Sequence, residues 1–483
     1  MDDSDLTGTS LRTRPLLILL ATVAAAKLAL FALDPSARLF LGDSLSYLHS
    51  AASDWVPPDR SYAYALLVRL WNAWRPGLEG VVLVQGFLGL CTALLLVRML
   101  VSAFGLGFAA AAGIGLVFAL GPEQLYYERM VMAEAASLFA LACMLAAGFA
   151  HVRDGRIGWL PLIAAAGVLA VALRVSLAPL VLGFALLPVI ARALAAPPRS
   201  LRGGARVFVH AAGVLVLTAF AHHAGKAWYD AHHDLRGEYP ADYVAASGYF
   251  RLGLVLPLVT LEDFARPDVD PSVVAGLPPD WNDRHHRESL LWSEDGLVAR
   301  LRAAHGDAIG NRIARKVAMR ALRRDPAGFL ELSLRTLGDY FDPGIARHRM
   351  QDDLGNRGPD DRETAWVKER FGFDASTLAT RPSLARRWFG HAAPWLTFCL
   401  FALVPLAAVT LASGWRVRRG ESFLLALASL GLFLGHALFS SIVSYRYLHP
   451  FPFFLALNAG AIAANLLALR SRNAATPVDP PSR

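Results

Sequence analysis

Residues 15–47 read PLLILLATVAAAKLALFAL followed by DPSARLFLGDSLSY. The first part is an apolar run interrupted only by Lys27, and its length approaches the ~20 residues with which a helix crosses ~30 Å of hydrocarbon. Arg12 and Arg14 precede the run, as in a signal peptide, but it is longer than a usual signal core and lacks a clean cleavage site. We therefore interpret it as a retained first membrane span. Asp43 follows soon afterwards, which places a carboxylate close to a membrane surface.

The composition predicts the same class of protein. The chain has 483 residues, of which 55% are hydrophobic and 18% are charged, and this is too apolar for a single soluble domain. Long apolar blocks recur along the chain and predict an all-α polytopic membrane protein with about ten transmembrane helices. The predicted spans lie near residues 15–33, 81–101, 106–121, 131–150, 158–173, 175–195, 206–224, 391–413, 421–441 and 450–469.

The arginines predict the orientation of these spans. They recur after every second span, and Lys and Arg in short loops tend to stay on the cytoplasmic side, so both termini are predicted to be cytoplasmic. This distribution accounts for the net charge of +8 without nucleic acid as a partner, because no basic stripe with interleaved aromatic residues is present. The residues concerned are Arg12, Arg14, Arg98, Arg153, Arg156, Arg192, Arg199, Arg202, Arg206, Arg416, Arg418, Arg419, Arg470 and Arg472.

This topology divides the chain into four parts. Residues 1–224 form a transmembrane module that contains a first outer loop, residues 34–80. Residues 225–390 are polar, charged and rich in proline, and are predicted to form an extracytoplasmic domain. Residues 391–470 form the C-terminal transmembrane helices, and residues 471–483 are predicted to be a disordered cytoplasmic tail.

One segment of the predicted extracytoplasmic domain has the pattern of an amphipathic helix. Phe329, Leu330, Leu332, Leu334 and Leu337 follow one another at near-helical spacing within residues 326–340. Such a helix commonly lies on a membrane surface, but a helix buried in the core of the domain has the same periodicity. Both interpretations remain open from the sequence.

The outer loops carry the acidic residues that could perform chemistry. Asp43 could act as a general base that activates an acceptor hydroxyl, or it could cap a helix that begins at Ser44. Asp59 is a second acid of the same loop. Glu128 and Glu134 lie in the second outer turn, at the end of a span, where a charge is costly and tends to be functional.

Arginines at the outer ends of spans are unexpected, because short outer loops should be poor in this residue. Arg129, Arg174 and Arg446 all occupy such positions. Arginine is well suited to bind phosphate oxygens through two parallel hydrogen bonds, so the set predicts a phosphate-binding vestibule. Alternatively, each arginine could extend to the lipid boundary, Glu128 and Arg129 could form a local ion pair, and Tyr126 with Tyr127 could belong to an interfacial aromatic belt.

The order of these motifs resembles that of a known group of membrane enzymes. Asp43, the stretch Asp59–Tyr64, the turn Leu125–Glu134, Arg174 and the closing motif Arg446-Tyr447-x-x-Pro450 together resemble the GT-C superfamily of integral-membrane glycosyltransferases. The likeness is to the group with protein O-mannosyltransferases, lipid A aminoarabinose transferases and galacturonosyltransferases.

The resemblance implies specific site residues. Asp43 would be the catalytic carboxylate, Glu128 and Glu134 would form the acidic second region, and Arg446 would lie near the donor phosphate. The expected substrate-binding residues are Arg60, Tyr62, Tyr127, Arg129, Arg174, Arg446 and Tyr447.

The sequence therefore predicts a glycosyltransferase of the inner membrane with its active site on the extracytoplasmic side. Its partners would be a polyprenyl-phosphate-linked sugar donor, a lipid, glycan or protein acceptor, and membrane lipids. A polytopic transporter or lipid flippase is the alternative, and a non-catalytic scaffold for envelope assembly is a third option. No cofactor is certain and a divalent cation is possible. The apolar surroundings of Cys91, Cys143 and Cys399 predict neither a disulfide nor a thiolate zinc site.

Overall fold

The computed structural model of the chain describes residues 13–53, 55–58, 60, 62–74, 77–195, 200–232, 244, 246–355, 359–378 and 380–474. Asp59 and most of the tail that the sequence predicts to be disordered, residues 475–483, lie outside these ranges. The helices of the described part are, in chain order, α1 (Thr13–Leu33), α2 (Leu41–Ala52), α3 (Ala63–Trp74), α4 (Glu79–Ser102), α5 (Phe108–Ala119), α6 (Pro122–Tyr127), α7 (Glu134–Asp154), α8 (Trp159–Leu173), α9 (Ala178–Phe184), α10 (Leu187–Ala195), α11 (Leu201–His232), α12 (Ser247–Val255), α13 (Leu261–Phe264), α14 (Arg287–Trp292), α15 (Leu297–His305), α16 (Asp307–Arg324), α17 (Pro326–Gly338), α18 (Pro343–Asp353), α19 (Asp361–Phe371), α20 (Leu384–Phe389), α21 (Ala393–Val417), α22 (Gly420–Phe439) and α23 (Phe451–Ala474).

The membrane-spanning helices confirm the predicted fold class. Within the described ranges, eight helical segments are long and apolar enough to cross a membrane: Arg14–Leu33, Glu79–Ser102, Glu134–Asp154, Val175–Ala195, Leu201–His232, Ala393–Val417, Gly420–Phe439 and Tyr445–Arg472. The remaining two predicted spans correspond to the apolar helices α5 and α8, which have only 12 and 15 residues. At ~1.5 Å per residue these two are too short to cross the hydrocarbon as straight helices. The protein is an all-α polytopic membrane protein.

Three hydrophobic clusters lie in the described part of the chain. The largest joins the membrane helices to residues 337–392 of the long polar segment between α11 and α21. The second lies within residues 246–321, where the apolar face of the basic helix α16 packs against α12. The smallest packs Val56, Tyr62 and Ala65 against Tyr229 of α11. The polar segment therefore has a core of its own in its first half, whereas its second half shares a core with the membrane helices.

The amphipathic helix predicted within residues 326–340 is α17, which contacts the membrane helix α22. Leu332 and Leu337 are buried, whereas Leu330 and Leu334 are exposed. Apolar side chains on the outside of a helix beside a membrane span suit a position at the membrane surface. The interfacial position and the extracytoplasmic side of this segment stay predictions.

Main-chain pairing brings the segment before Asp43 against the segment before Glu134. The Arg38 N–H donates to the Arg129 carbonyl at 2.7 Å, and the Val131 N–H donates to the Arg38 carbonyl at 2.8 Å. The Ser44 hydroxyl donates to the Val131 carbonyl at 2.9 Å and so fixes the first turn of α2 to the segment before Glu134. As a result, the two acidic regions that the sequence separates by a long helical segment face each other in space.

The second half of the polar segment also contacts the stretch between α1 and α2, residues 34–40. Arg38 donates to the Leu378 carbonyl at 2.6 Å, and the Ser383 hydroxyl donates to an Asp34 carboxylate oxygen at 2.6 Å. All of these groups except the Leu378 carbonyl belong to buried polar residues. Buried polar groups of this kind are costly unless they are paired, so these contacts fix the chain just before α2.

Candidate active site

Asp43 lies in the first turn of α2 and does not cap the helix. The helix begins at Leu41, its N-cap position is Phe40, and no side chain forms a cap hydrogen bond there. The Phe40 N–H donates instead to the Ser44 hydroxyl at 2.8 Å. The interpretation of Asp43 as the cap of a helix that begins at Ser44 is therefore wrong, because the helix begins three residues earlier.

The carboxylate of Asp43 lies between two arginines from distant parts of the chain. Its Oδ2 accepts from Arg446 Nη1 at 2.6 Å, and its Oδ1 accepts from Arg60 Nη2. Burial acts to raise the pKa of Asp43, but the charges of Arg60 and Arg446 outweigh it and hold this pKa below its usual range. Asp43 is therefore ionised at neutral pH, with both oxygens engaged.

Glu134 adds a second carboxylate on the opposite side of Arg446. Its Oε1 lies 3.6 Å from Arg446 Nε and 3.6 Å from Arg174 Nη1. Arg174 also donates through Nη2 to the Arg446 carbonyl at 3.3 Å. Glu134 occupies the first turn of α7, where the positive end of the helix dipole favours a carboxylate.

Aromatic rings orient the two arginines. The Arg446 guanidinium carbon lies 4.7 Å from the Phe40 ring centroid and 5.0 Å from that of Tyr447, and Arg174 lies 5.4 Å from the same Tyr447 ring. The Tyr447 hydroxyl accepts from Arg446 Nη2 at 3.3 Å. Planar guanidinium groups held against rings keep their donors aimed in fixed directions, which a lysine would not do. We call the following residues the arginine–carboxylate cluster: Asp43, Arg60, Glu134, Arg174, Arg446 and Tyr447.

A pocket opens beside this cluster among three membrane spans, Val175–Ala195, Gly420–Phe439 and Tyr445–Arg472. Arg174 and Tyr447 line one part of it, and apolar side chains such as Leu180, Leu432 and Phe439 line the remainder. The pocket therefore combines a cationic, aromatic end with apolar walls. A lipid with a phosphate headgroup has the matching distribution of charge and apolar surface.

Glu128 lies outside the arginine–carboxylate cluster. Its Oε1 forms an ion pair with Lys27 Nζ of α1 at 2.5 Å and accepts from Gln124 Nε2 at 2.8 Å. Both charged side chains are buried. The sequence-based alternative of a local pair between Glu128 and Arg129 is wrong, because each residue has a different partner.

Arg129 also lies outside the cluster and is committed to the main chain. Its three guanidinium nitrogens donate to the carbonyls of Asp34, Leu125 and Leu30 at 3.0, 2.8 and 3.1 Å. The carboxylate of Asp34 lies 3.6 Å from its Nε. The buried guanidinium thus joins α1, the strip after it and α6, and the structure does not bring it to the phosphate-binding position that the sequence suggested.

Tyr62 and Tyr127 are packing residues in this arrangement. Tyr62 stacks on Trp228 of α11 with ring centroids 5.3 Å apart. Tyr127 is fully buried and packs edge-on against Phe389 at 5.3 Å and His449 at 4.9 Å. Its neighbour Tyr126 is equally buried, so the alternative of an interfacial aromatic belt at this pair is wrong.

The described residues do not bring together three His, Cys, Asp or Glu side chains in a group that could hold a metal ion. Asp43 and Glu134, the two carboxylates of the cluster, are each engaged by arginines. A divalent cation would have to compete with these guanidinium groups for the same oxygens.

Sequence reasoning did not single out Asp353, although it lies next to the cluster. This buried carboxylate at the end of α18 accepts from the main-chain N–H groups of Tyr445 and Arg446 at 2.6 and 3.3 Å. Burial raises the pKa of Asp353 to about 6. It lies in a polar stretch with other acids, Gln351-Asp352-Asp353, and nothing in that local pattern indicates a contact with the last hairpin.

No family model matches the chain, and no curated protein matches it. Two solved structures are similar to it. One is ArnT from Cupriavidus metallidurans bound to undecaprenyl phosphate, with 14% identity, 92% of this chain and 78% of that chain covered, and a TM-score of 0.32. The other is the same protein in the apo state, with 15% identity, 91% and 78% covered, and a TM-score of 0.31.

ArnT is a lipid A aminoarabinose transferase of the GT-C class, which is the group that the order of the sequence motifs resembles. The likeness extends over most of the chain.

Proposed function

We propose that the protein is a membrane glycosyltransferase that moves a sugar from a polyprenyl-phosphate-linked donor to an acceptor hydroxyl on the extracytoplasmic face. The observation that carries this proposal is the position of Asp43 between Arg60 and Arg446. A carboxylate and a set of fixed arginines are the two elements that such a transfer needs, namely a proton acceptor and a site for a phosphate leaving group.

In the proposed reaction, the acceptor oxygen attacks the anomeric carbon of the sugar and loses its proton to Asp43. The bond between the anomeric carbon and the phosphate oxygen breaks, and the polyprenyl phosphate leaves with the bonding electrons. Arg446, Arg174 and Arg60 stabilise the negative charge that develops on this phosphate. The arginines act in a partly buried site, where such interactions are stronger than in water.

The donor phosphate would compete with Asp43 for the same arginine donors. Both oxygens of Asp43 are engaged in the structure, and its pKa is held below the usual range, so it is a weak base in this state. A phosphate oxygen that takes over the donor of either Arg60 or Arg446 would free one oxygen of Asp43 and raise its basicity. Donor binding would therefore prepare the base for the acceptor.

Single displacement with inversion follows from the second carboxylate. Glu134 is almost fully buried, and its Oε1 faces two arginines. A retaining enzyme needs a second carboxylate that is free to attack the sugar. Glu134 instead serves to hold Arg446 and Arg174 in place.

The lipid part of the donor fits the pocket beside the cluster. Arg174 and Tyr447 lie at its polar end, and its walls are formed by the spans Val175–Ala195 and α22. A polyprenyl chain in this pocket would bring its phosphate to Arg174 and Arg446. The extracytoplasmic side follows from the distribution of arginines in the loops.

The test is transfer by the purified protein in sealed liposomes. It is incubated with polyprenyl-phosphate-linked sugars and with envelope lipids and glycans, and the products are identified by mass spectrometry. Comparison of envelopes with and without the gene narrows the choice of sugar and acceptor. Formation of a glycosylated acceptor together with free polyprenyl phosphate supports the proposal, whereas movement of intact donor lipid across the membrane without transfer would favour a flippase.

A further inference from the structure

The turn that carries Arg446 is held by two side chains from the polar segment between α11 and α21. Arg446 belongs to the short 3-10 turn Tyr445–Leu448. Such a turn leaves its first N–H groups without main-chain partners, and a buried N–H needs an acceptor. Those acceptors come from residues more than ninety positions earlier in the chain.

Asp353 supplies the first set of contacts. Its Oδ2 accepts from the Tyr445 N–H at 2.6 Å and from the Arg446 N–H at 3.3 Å. The Ser444 hydroxyl donates toward the same carboxylate, 3.1 Å from Oδ1 and 3.3 Å from Oδ2. Asp353 is buried, so these bonds are shielded from water. It acts as an N-cap does, although it comes from another part of the chain.

Tyr340 supplies a second set of contacts, which hold Ser444, the residue directly before the turn. Its hydroxyl accepts from the Ser444 N–H at 3.2 Å and donates to the Ser444 carbonyl at 3.2 Å. His436 Nε2 of α22 lies 3.1 Å from the same hydroxyl. The main chain of Ser444 is therefore fixed at both its N–H and its carbonyl, directly before the turn.

From this geometry we propose that Asp353, assisted by Tyr340, is a positioning residue that sets the direction of Arg446 for the headgroup phosphate of a lipid donor. The inference rests on the proposed function, because it assumes that Arg446 binds that phosphate. It assigns to the polar segment a role in forming the site, since two of its side chains determine where the phosphate-binding turn lies. Neither residue contacts the substrate.

The experiment measures how strongly the detergent-purified full-length protein prefers undecaprenyl phosphate over undecaprenol, by native mass spectrometry of the lipid-bound species. The two lipids have the same chain and differ only in the phosphate. A general loss of structure would weaken both lipids, whereas a misplaced Arg446 would weaken only the phosphorylated one. The preference therefore separates positioning from a structural role.

Asp353→Ala removes the acceptor for two N–H groups, and we expect it to lower the preference by about tenfold or more. Asp353→Asn retains an acceptor oxygen, and Asn caps about as well as Asp, so the preference should stay within about threefold of the parent. The matched control is Asp352→Ala, next to it, whose side chain is 35% exposed and pairs with Arg349 and His348. It should leave the preference unchanged.

Three results would overturn the inference: a parental preference in Asp353→Ala, an equal loss in Asp353→Ala and Asp353→Asn, or a loss in Asp352→Ala. If Asp353→Ala does not fold, Tyr340→Phe decides, because it removes only a hydroxyl; a lowered preference supports the inference and a parental one contradicts it. The Arg446→Ala variant distinguishes a failure of the proposed phosphate site from a failure of the positioning role of Asp353. If it keeps the preference, the proposed phosphate site fails; if it loses the preference while Asp353→Ala keeps it, only the positioning role fails.

Discussion

Arg446 Nη1 lies 2.6 Å from Asp43 Oδ2, although 403 positions separate the two residues in the chain. Through its Nε the same guanidinium faces Glu134 at 3.6 Å. Arg446 thus joins the proposed base to the second carboxylate. In the proposed mechanism, the ion pair between Arg446 and Asp43 ties donor binding to the activation of the base.

The first prediction concerns Arg446 itself. Arg446→Ala removes charge-assisted hydrogen bonds to the phosphate and should weaken binding of undecaprenyl phosphate by about 1.5–3 kcal/mol, which is about ten- to a hundredfold. Arg446→Lys should restore only part of this, because an ammonium lacks the planar fork. The measurement is lipid titration by native mass spectrometry.

The matched control for this prediction is Arg470→Ala, which removes an exposed arginine near the end of α23. It should bind both lipids as the parent does. Parental binding of undecaprenyl phosphate in Arg446→Ala would assign Arg446 to packing against Phe40 and Tyr447.

The second prediction separates Arg129 from the arginines of the cluster. Arg129→Leu leaves Asp34 without its charged partner and removes the guanidinium donor from the carbonyls of Asp34, Leu30 and Leu125. Removal of one partner from a buried pair typically costs about 3–5 kcal/mol, so the thermal unfolding temperature should fall clearly. The preference of the folded fraction for undecaprenyl phosphate should not change. An unchanged unfolding temperature together with a lost preference would return Arg129 to the phosphate site.

The sequence predicted the fold well because membrane spans are defined by composition and length. All ten predicted spans coincide with helices, and only α5 and α8 are shorter than a span requires. A long apolar run in a membrane leaves little choice of secondary structure. Every main-chain polar group in lipid must be paired, and a helix pairs them within the segment itself.

The site was predicted in part, because the sequence shows residue types but not side-chain partners. The structure brings together Asp43, Glu134, Arg174 and Arg446. Arg129 is also an arginine at the end of a span, but it lies outside the cluster. An arginine at the end of a span can bind a ligand or hold main-chain carbonyls, and the choice depends on residues far away in the chain. For the same reason Asp353 could not be found from its neighbours.

The third prediction tests the orientation of the membrane module. A cysteine at the exposed Asp280 should react with a membrane-impermeant thiol reagent in intact cells, and one at the exposed Arg156 should react only after lysis. The parent protein, with its native cysteines, gives the background. Protection of the Asp280→Cys variant in intact cells would reverse the orientation and with it the extracytoplasmic active site.

The fourth prediction concerns pH. Arg60 and Arg446 hold the pKa of Asp43 below its usual value of 3.8, so protonation of Asp43 should not limit kcat/KM for the donor near neutral pH. Arg60→Ala removes one of the two charges that lower this pKa. The pKa should therefore rise, and an acidic limb that the parent lacks should appear in the kcat/KM profile measured from about pH 4 to about pH 8. A lower plateau without such a limb would show that Arg60 does not tune the base.

The most direct measurement is made on Asp43→Asn. Asn has nearly the same shape, so the fold should persist, but it carries no charge for Arg60 and Arg446, so the unfolding temperature should fall. The variant cannot accept the acceptor proton, so the rate of sugar transfer should fall by about 10²–10⁴-fold. Binding of undecaprenyl phosphate should persist or tighten, because Arg60 and Arg446 lose their competing carboxylate. A folded Asp43→Asn enzyme that binds the lipid and transfers sugar at the parental rate would contradict the assignment of Asp43 as the base.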